Sequence, residues 1–276
     1  MLFLTYSSHC NYRTLFAAGS RSRRKQTTHA SQDDPKHLFS FDKKKNPVMA
    51  SSLVSKMASR AHLSNFSEVG RKIVGAALNY KSLAHDLKVP HPAKPIIFLK
   101  ATSSYINVGQ VIEVPKAETV NYEVELGVVI GKKCKRISEA NALDYIGGYC
   151  LALDMTNVTQ IGNAKKMSAP WDLGKTFDTA CPVSKFIPKE SIKNPDDVKL
   201  WLKLNGNVKQ EESTSDMIFS TSQLISYVSQ FMTLEPGDLL LTGSPSGVGP
   251  VRPNDVLECG LNDLVTMTFS VRAVES

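Results

Sequence analysis

The 276-residue sequence predicts a mainly β, mixed α+β fold organised around one rolled or barrel-like sheet. Three observations carry this: many short apolar runs bounded by turns, few stretches with helical periodicity, and no internal repeat or low-complexity insert in the body. In order, "RKIVGAALNY" reads as a strand entering a loop, and "SLAHDLKV" as a short helix that must stop before Pro90 and Pro92. "PIIFLKATSSYI" and "EVELGVVIG" read as strands. "SEANALDYIGGY" reads as a helix with Ser138 as N-cap and Gly147-Gly148 as its stop. "YCLALDMT" is a buried strand ending at Asp154, and "LWLKLNGNVKQEE" is a hairpin turning at Asn205-Gly206. "TSQLISYVSQFMTL" places Leu224, Ile225, Val228, Phe231 and Met232 on one helical face. "PGDLLLTGSPSGVGP", "NDVLECGL" and "LVTMTFSVRAVE" supply the closing strands.

Composition bounds the function. With 42% hydrophobic and 8% aromatic residues, the chain can bury one sizeable core, and no apolar run is long enough to cross a bilayer. The net charge of +7 suggests nucleic acid until it is located. Residues 1–67 hold 11 Lys/Arg against 3 Asp/Glu, which leaves 22 against 23 for residues 68–276, so the body is not basic. No acidic residue precedes Asp33, and the segment is rich in Ser and Arg, as in an organelle transit peptide. The alternative is a disordered tail, or a gene start placed too early with a second start at Met49. Residues 1–67 are thus expected to be a leader and residues 68–276 the folded domain. Five widely spaced cysteines without a CxxC indicate neither a disulfide framework nor a zinc site and suit a reducing interior.

"NYEVELGVVIG" raises the chemical question. Glu123 and Glu125 stand at i and i+2 of a strand and so project to one side, with Gly127 and Val129, while Val124, Leu126 and Val128 project to the other. Together with Asp154 at the end of a later strand they form a set of hard oxygen donors such as Mg²⁺, Mn²⁺ or Ca²⁺ prefers. The last histidine of the chain is His91, so a metal in the later body must be held by oxygens. Taken alone, an ExE pair is more often the wet face of a half-buried strand, Asp154 a turn cap, and Lys175 a solvated lysine. "LTGSPSGVG" lacks the Lys-Ser/Thr of a P-loop and any GxGxxG.

The order of the pieces is more specific than any one of them. "YEVELGVVIGKK", "DYIGGYCLALDMT", "PWDLGKTFDTACPVSKF", "LWLKLNGNVKQEESTSDMIFS", "LISYVSQFMTLEPGDLLLTGSPSGVGPV" and "NDVLECGL" closely resemble the fumarylacetoacetate hydrolase family over residues 69–272, in particular its small mitochondrial acylpyruvase and oxaloacetate-acting members. The resemblance implies a mixed β-roll, usually dimeric, with one Mg²⁺ or Mn²⁺ per subunit. It implies Glu123, Glu125 and Asp154 as metal ligands and Lys175 as the cation beside them. It further implies Asn79, Tyr80, Gln160, Thr242, Gly243 and Ser244 around a small 2-oxo acid. Acylpyruvate hydrolysis, oxaloacetate decarboxylation and oxaloacetate tautomerisation all pass through an enolate that such a site stabilises. Without the ion, at least one carboxylate should have a raised pKa.

Several positions depart from the family pattern. Its water-activating His–Glu pair follows an Asn-Tyr, the His three residues after the Tyr and the Glu three after the His. Here these positions are Leu83 and Asp86, with His85 two residues late, turned by about 200° on a helix. Leu78 stands where the family has Arg, and Asn157-Val158-Thr159 where it has Ala-Arg-Asp. Gln160 is the family's glutamine displaced by one, with Ile161 in the matching place, and Ser244 replaces a threonine. The expectation is an enzyme of reduced hydrolytic power whose catalytic candidates are Lys175, Asp86 and His85. The alternative is a metal-binding pseudoenzyme that serves as a dimerisation partner. A mitochondrial address is expected, with plastid or cytosol as alternatives, and neither nucleic acid nor membrane as a partner.

Overall fold

The structure, a computed structural model, describes residues 62–275. The leader expected over residues 1–67 lies outside the described residues except for residues 62–67, where Leu63 and Phe66 are buried in an apolar cluster with Val129, Leu239 and Leu241. The strands are β1 Ile73–Ala77, β2 Ile96–Lys100, β3 Tyr105–Asn107, β4 Ile112–Pro115, β5 Val120–Tyr122, β6 Val124–Ile130, β7 Ile146–Leu153 and β8 Thr156–Asn157. They continue as β9 Cys181–Val183, β10 Ile187–Pro188, β11 Lys199–Leu204, β12 Asn207–Ser213, β13 Leu239–Leu241, β14 Gly249–Val251, β15 Val256–Leu261 and β16 Val265–Val274. The helices are short, so the mainly β, α+β expectation is borne out.

A curled sheet runs in the order β2-β1-β13-β6-β7-β9-β3, with β10 added beside β7. A second sheet runs β12-β11-β15-β16-β4, and a small one β14-β5-β8. Strand β6 is buried along its whole length, as a strand covered on both faces must be. Its period of two holds: Val124, Leu126, Val128 and Ile130 enter the larger core with Leu151, Leu153 and Phe269, whereas Val129 enters the smaller one with Cys150 and Ala152. Glu123 lies just outside β6, at the junction with β5.

The Asn205-Gly206 turn has φ of +51° and +78°, as a type I′ hairpin requires. Helix Thr221–Phe231 starts in a capping box of Ser220 and Gln223 and buries Leu224, Ile225 and Val228. Phe231, expected on that face, is 72% exposed; it is the last helical residue and packs against Tyr227 instead. The helix expected over "SEANALDYIGGY" covers only Glu139–Ala142 with a 3₁₀ turn at Leu143–Tyr145, and the glycine pair lies inside β7. Packing explains this: a Cβ on Gly147 would stand 2.7 Å from the Cα of Gly131 and 2.6 Å from Leu63 Cδ1. The glycines let two backbones touch rather than end a helix. The four described cysteines, Cys134, Cys150, Cys181 and Cys259, are buried and in no disulfide.

Asn79 ties three segments together at the end of β1. Its Nδ2 donates to the carbonyls of Phe219 (3.0 Å) and Thr242 (2.8 Å), and its Oδ1 accepts from the Phe219 N–H (2.8 Å). The residue is 1% exposed, so no water can replace these bonds. Asn79→Ala is expected to lower unfolding free energy in urea by about 2–4 kcal/mol, because several backbone groups lose their partners together. A change below about 0.5 kcal/mol would show that the clasp is dispensable.

Candidate functional site

Three carboxylates meet where β5, β6 and β7 end. One oxygen each of Glu123, Glu125 and Asp154 lies within 4.8 Å of the others. Backbone geometry fixes the approach: β6 pairs with β7 so that Val124 stands opposite Leu153, and the Asp154 N–H donates to the Glu123 carbonyl at 2.8 Å. The Gly243 N–H donates to Glu125 Oε2 at 2.7 Å, and the Thr156 hydroxyl to Glu123 Oε1 at 2.5 Å.

Two lysines face the cluster. Lys175, on the short helix Asp172–Lys175, places Nζ 2.5 Å from Asp154 Oδ2, 2.5 Å from Thr156 Oγ1 and 3.6 Å from Glu123 Oε2. Its ammonium also sits 4.4 Å from the centre of the Phe98 ring. Lys100, which the sequence reading passed over, donates to the carbonyls of Met155 (3.0 Å) and Lys175 (2.8 Å). Its Nζ is also 2.7 Å from Asp154 Oδ1, a buried ion pair that helps hold Asp154 ionised. The signal for Lys100 was present in "PIIFLK", where alternation puts Phe98 and Lys100 on one face. A cleft of about 140 Å³ is lined by Phe98, Leu99, Pro170, Trp171, Asp172 and Lys175.

Burial and the neighbouring carboxylates of Asp154 and Glu123 push Glu125 well above the usual carboxylate range. Burial also raises Glu123, against the opposing pull of Lys175. Asp154 is the exception: burial would raise it, but Lys100 and Lys175 together hold it low. Lys175 would be lowered by burial, yet Asp154 and Glu123 push it up to about 12, so it is a fixed cation at neutral pH. The donor set is therefore all oxygen, and burial with mutual repulsion raises two of its three carboxylates above their ordinary range. Such a set fits a hard divalent cation.

The remaining candidates fall in different places. Thr242 and Ser244 are buried and bond backward onto β6, through Thr242 Oγ1 to the Leu126 carbonyl and Ser244 Oγ to the Val124 carbonyl. Tyr80 is buried, its hydroxyl has no partner among the described residues, and burial with the charge of Glu125 raises its pKa well above 10. Gln160 donates its side-chain amide to Glu118, which also holds Asn157. Helix Lys81–Asp86 leaves the His85 side chain 90% and the Asp86 side chain 57% exposed, paired with each other at 3.5 Å. Asp86 accepts from Ser246, and this bond together with His85 lowers its pKa. A carboxylate held low is a weak base.

The pH dependence has a definite sign. Glu123 and Glu125 hold protons more tightly folded than unfolded, so their contribution to stability is present in acid and lost as pH rises through the raised folded values. Asp154 contributes in the opposite sense, above the unfolded value, and is lost as pH falls through its lowered one. The melting temperature in EDTA is expected to fall as pH rises above the ordinary glutamate range through the raised Glu123 and Glu125 values, and saturating Mg²⁺ or Mn²⁺ to remove that slope. An EDTA melting profile that is flat over this range would contradict the protonation pattern.

The comparisons agree with this geometry. Residues 72–272 match the family model described as fumarylacetoacetate (FAA) hydrolase, C-terminal. The chain is 47% identical over 220 residues to the human protein named oxaloacetate tautomerase FAHD1, mitochondrial, covering 79% of this chain and all of the relative. It is 49% identical over 212 residues to the oxaloacetate decarboxylase, mitochondrial, of Dictyostelium discoideum, covering 76% of this chain and 97% of the relative. Among solved structures, a fumarylpyruvate hydrolase from Pseudomonas aeruginosa in complex with Mn²⁺ and pyruvate superposes with a TM-score of 0.69 at 28% identity, over 75% of this chain and 91% of the other. A family protein from Yersinia pestis CO92 superposes with the same score at 36% identity, over 72% and 92%. This chain belongs to the fumarylacetoacetate hydrolase family.

Proposed function

We propose that the protein is a metal-dependent enzyme acting on short 2-oxo acids, with oxaloacetate tautomerisation or decarboxylation as its main activity and acylpyruvate hydrolysis as a weaker one. The observation that carries this reading is the convergence of Glu123, Glu125 and Asp154 against Lys175 and Lys100. The three carboxylates would hold the ion, Mg²⁺ or Mn²⁺, which when bound supplies Lewis acidity toward a 2-oxo acid. Lys175 stands beside the cluster as a fixed positive charge and would neutralise negative charge that develops on the substrate as an enolate forms. The cleft lined by Phe98, Trp171 and Lys175 offers room for the substrate's far end.

Hydrolysis needs a base for water, and here the fold offers little. His85 and Asp86 point outward, Asp86 is a weak base, and Lys175 keeps its proton. Loss of such a base typically costs on the order of 10²–10⁴ in rate. Carbon–carbon cleavage by loss of CO₂ needs no activated water, which favours oxaloacetate. The names of the relatives support the same preference and, with the composition of the first residues, a mitochondrial address. We further propose a homodimer, on the family resemblance alone. The pseudoenzyme reading is the second one, favoured by the outward turn of His85.

Proton NMR of the full chain with oxaloacetate and with acetylpyruvate, in Mg²⁺ and then in EDTA, tests this. Metal-dependent pyruvate or faster keto–enol exchange from oxaloacetate is expected, with slower acetate release from acetylpyruvate. Glu125→Ala is expected to abolish both, and Leu83→His to raise acetate release by up to about 10²-fold. Silence in both tubes from folded, metal-loaded protein would favour the pseudoenzyme.

A further inference from the structure

We propose that Gln210 is a positioning residue that sets the spacing of the Glu123 and Glu125 carboxylates. The inference rests on reading those carboxylates, with Asp154, as a divalent-cation site. Val124 stands between the two glutamates, and in a strand the N–H and C=O of one residue point to the same edge. On that edge β6 is paired with β13 only from Gly127 to Val129, and the Thr242 N–H still reaches the Leu126 carbonyl. Beyond this point the neighbouring chain turns away at Gly243, and Val124 would be left with two buried, unpaired groups. Two side chains take over the ladder. The Val124 N–H donates to Gln210 Oε1 at 3.0 Å, and the Val124 carbonyl accepts from Ser244 Oγ at 3.0 Å.

Gln210 also joins the two supports to each other. Its Nε2 donates to Ser244 Oγ at 2.9 Å and to the Pro245 carbonyl at 2.8 Å, and the residue is 1% exposed. It comes from the other large sheet, on β12, where the pairing with β11 slips: Leu202 faces Gln210, but Lys203 faces Val208. The extra residue, Lys209, forms a bulge of the kind that re-aims a side chain beside a site. The bulge meets the loop directly, because a Cβ on Gly247, at φ +91°, would lie 1.9 Å from the Lys209 carbonyl oxygen. One amide thus holds the backbone between two glutamates and the loop whose Gly243 N–H binds Glu125. Gln210 forms no bond to any of the three carboxylates, so it acts through Val124 and Ser244.

The test is Mn²⁺ titration of the full chain followed by electron paramagnetic resonance of the free ion. Wild type, Gln210→Leu, Ser244→Ala, Ser244→Thr and Glu125→Gln are compared, with melting temperatures in EDTA. Gln210→Leu is expected to weaken Mn²⁺ binding by about 10–100-fold, with kcat recovering at saturating metal. Ser244→Ala should weaken binding in the same direction and Ser244→Thr, which keeps the hydroxyl, should restore it. Folded Gln210→Leu with wild-type Mn²⁺ affinity overturns the proposal, even if its melting temperature falls. If Gln210→Leu does not fold, the serine pair decides, and wild-type affinity in Ser244→Ala overturns it. Wild-type protein that binds no Mn²⁺, or Glu125→Gln that binds as wild type, would instead remove the metal-site reading itself.

Discussion

The constraint on which the rest of the structure depends is the containment of three carboxylates within 4.8 Å of one another where water is largely excluded. Two like charges about 4 Å apart at an effective dielectric near 20 repel by ~4 kcal/mol. Lys100 and Lys175 offset two of the three negative charges, and the fold places both against Asp154, which is why that group alone stays ionised easily. One negative charge remains in excess, and the raised pKa of Glu125 is the response of the protein without a counter-ion. On the proposed reading, a divalent cation would turn the balance to a single positive charge, which favours an anionic substrate.

Such a cluster is useful only if its members cannot drift apart, and each is tied by backbone. Asp154 is bonded through its own N–H to Glu123, Glu125 receives the Gly243 N–H, and Val124 is gripped from behind. The lysines are equally confined. An ammonium has three protons, and Lys100 directs its contacts to Asp154 and the carbonyls of Met155 and Lys175, so its head cannot swing away without orphaning two buried carbonyls. The second of those carbonyls belongs to Lys175 itself, so the two cations position each other.

Local pattern and order made much of this legible in the sequence, and long-range partners made the rest illegible. The alternation of "EVELGVVIG" puts Glu123 and Glu125 on one side, and its apolar positions divide between two cores as period two requires. Lys175 emerged only from the family resemblance, since nothing local distinguishes it from a surface lysine. Lys100 and Gln210 were missed because their partners lie 34 to 86 residues away in the chain, and a buried lysine or glutamine carries no local mark of its burial. The Gly147-Gly148 misreading has a similar origin: a glycine pair after a helical pattern signals a stop, but here Gly147 touches the backbone of Gly131 and Gly148 the ring of Phe186.

The same geometry separates the reactions open to the family. Water activation asks for a group whose pKa lies near the working pH and whose side chain reaches the cluster. Asp86 is held low and faces solvent, Lys175 is held at about 12, and Tyr80 is pushed well above 10 inside the core. Each group has been moved away from neutrality by its own surroundings, and in the direction that disables proton transfer to or from water. Charge stabilisation asks for something different, a cation that stays charged and stays in place. Lys175 meets both demands because the carboxylates that raise its pKa also anchor it. On the proposed reading, the features that would make this chain a poor hydrolase are therefore compatible with, and in Lys175 identical to, those that would suit it to enolate chemistry without water.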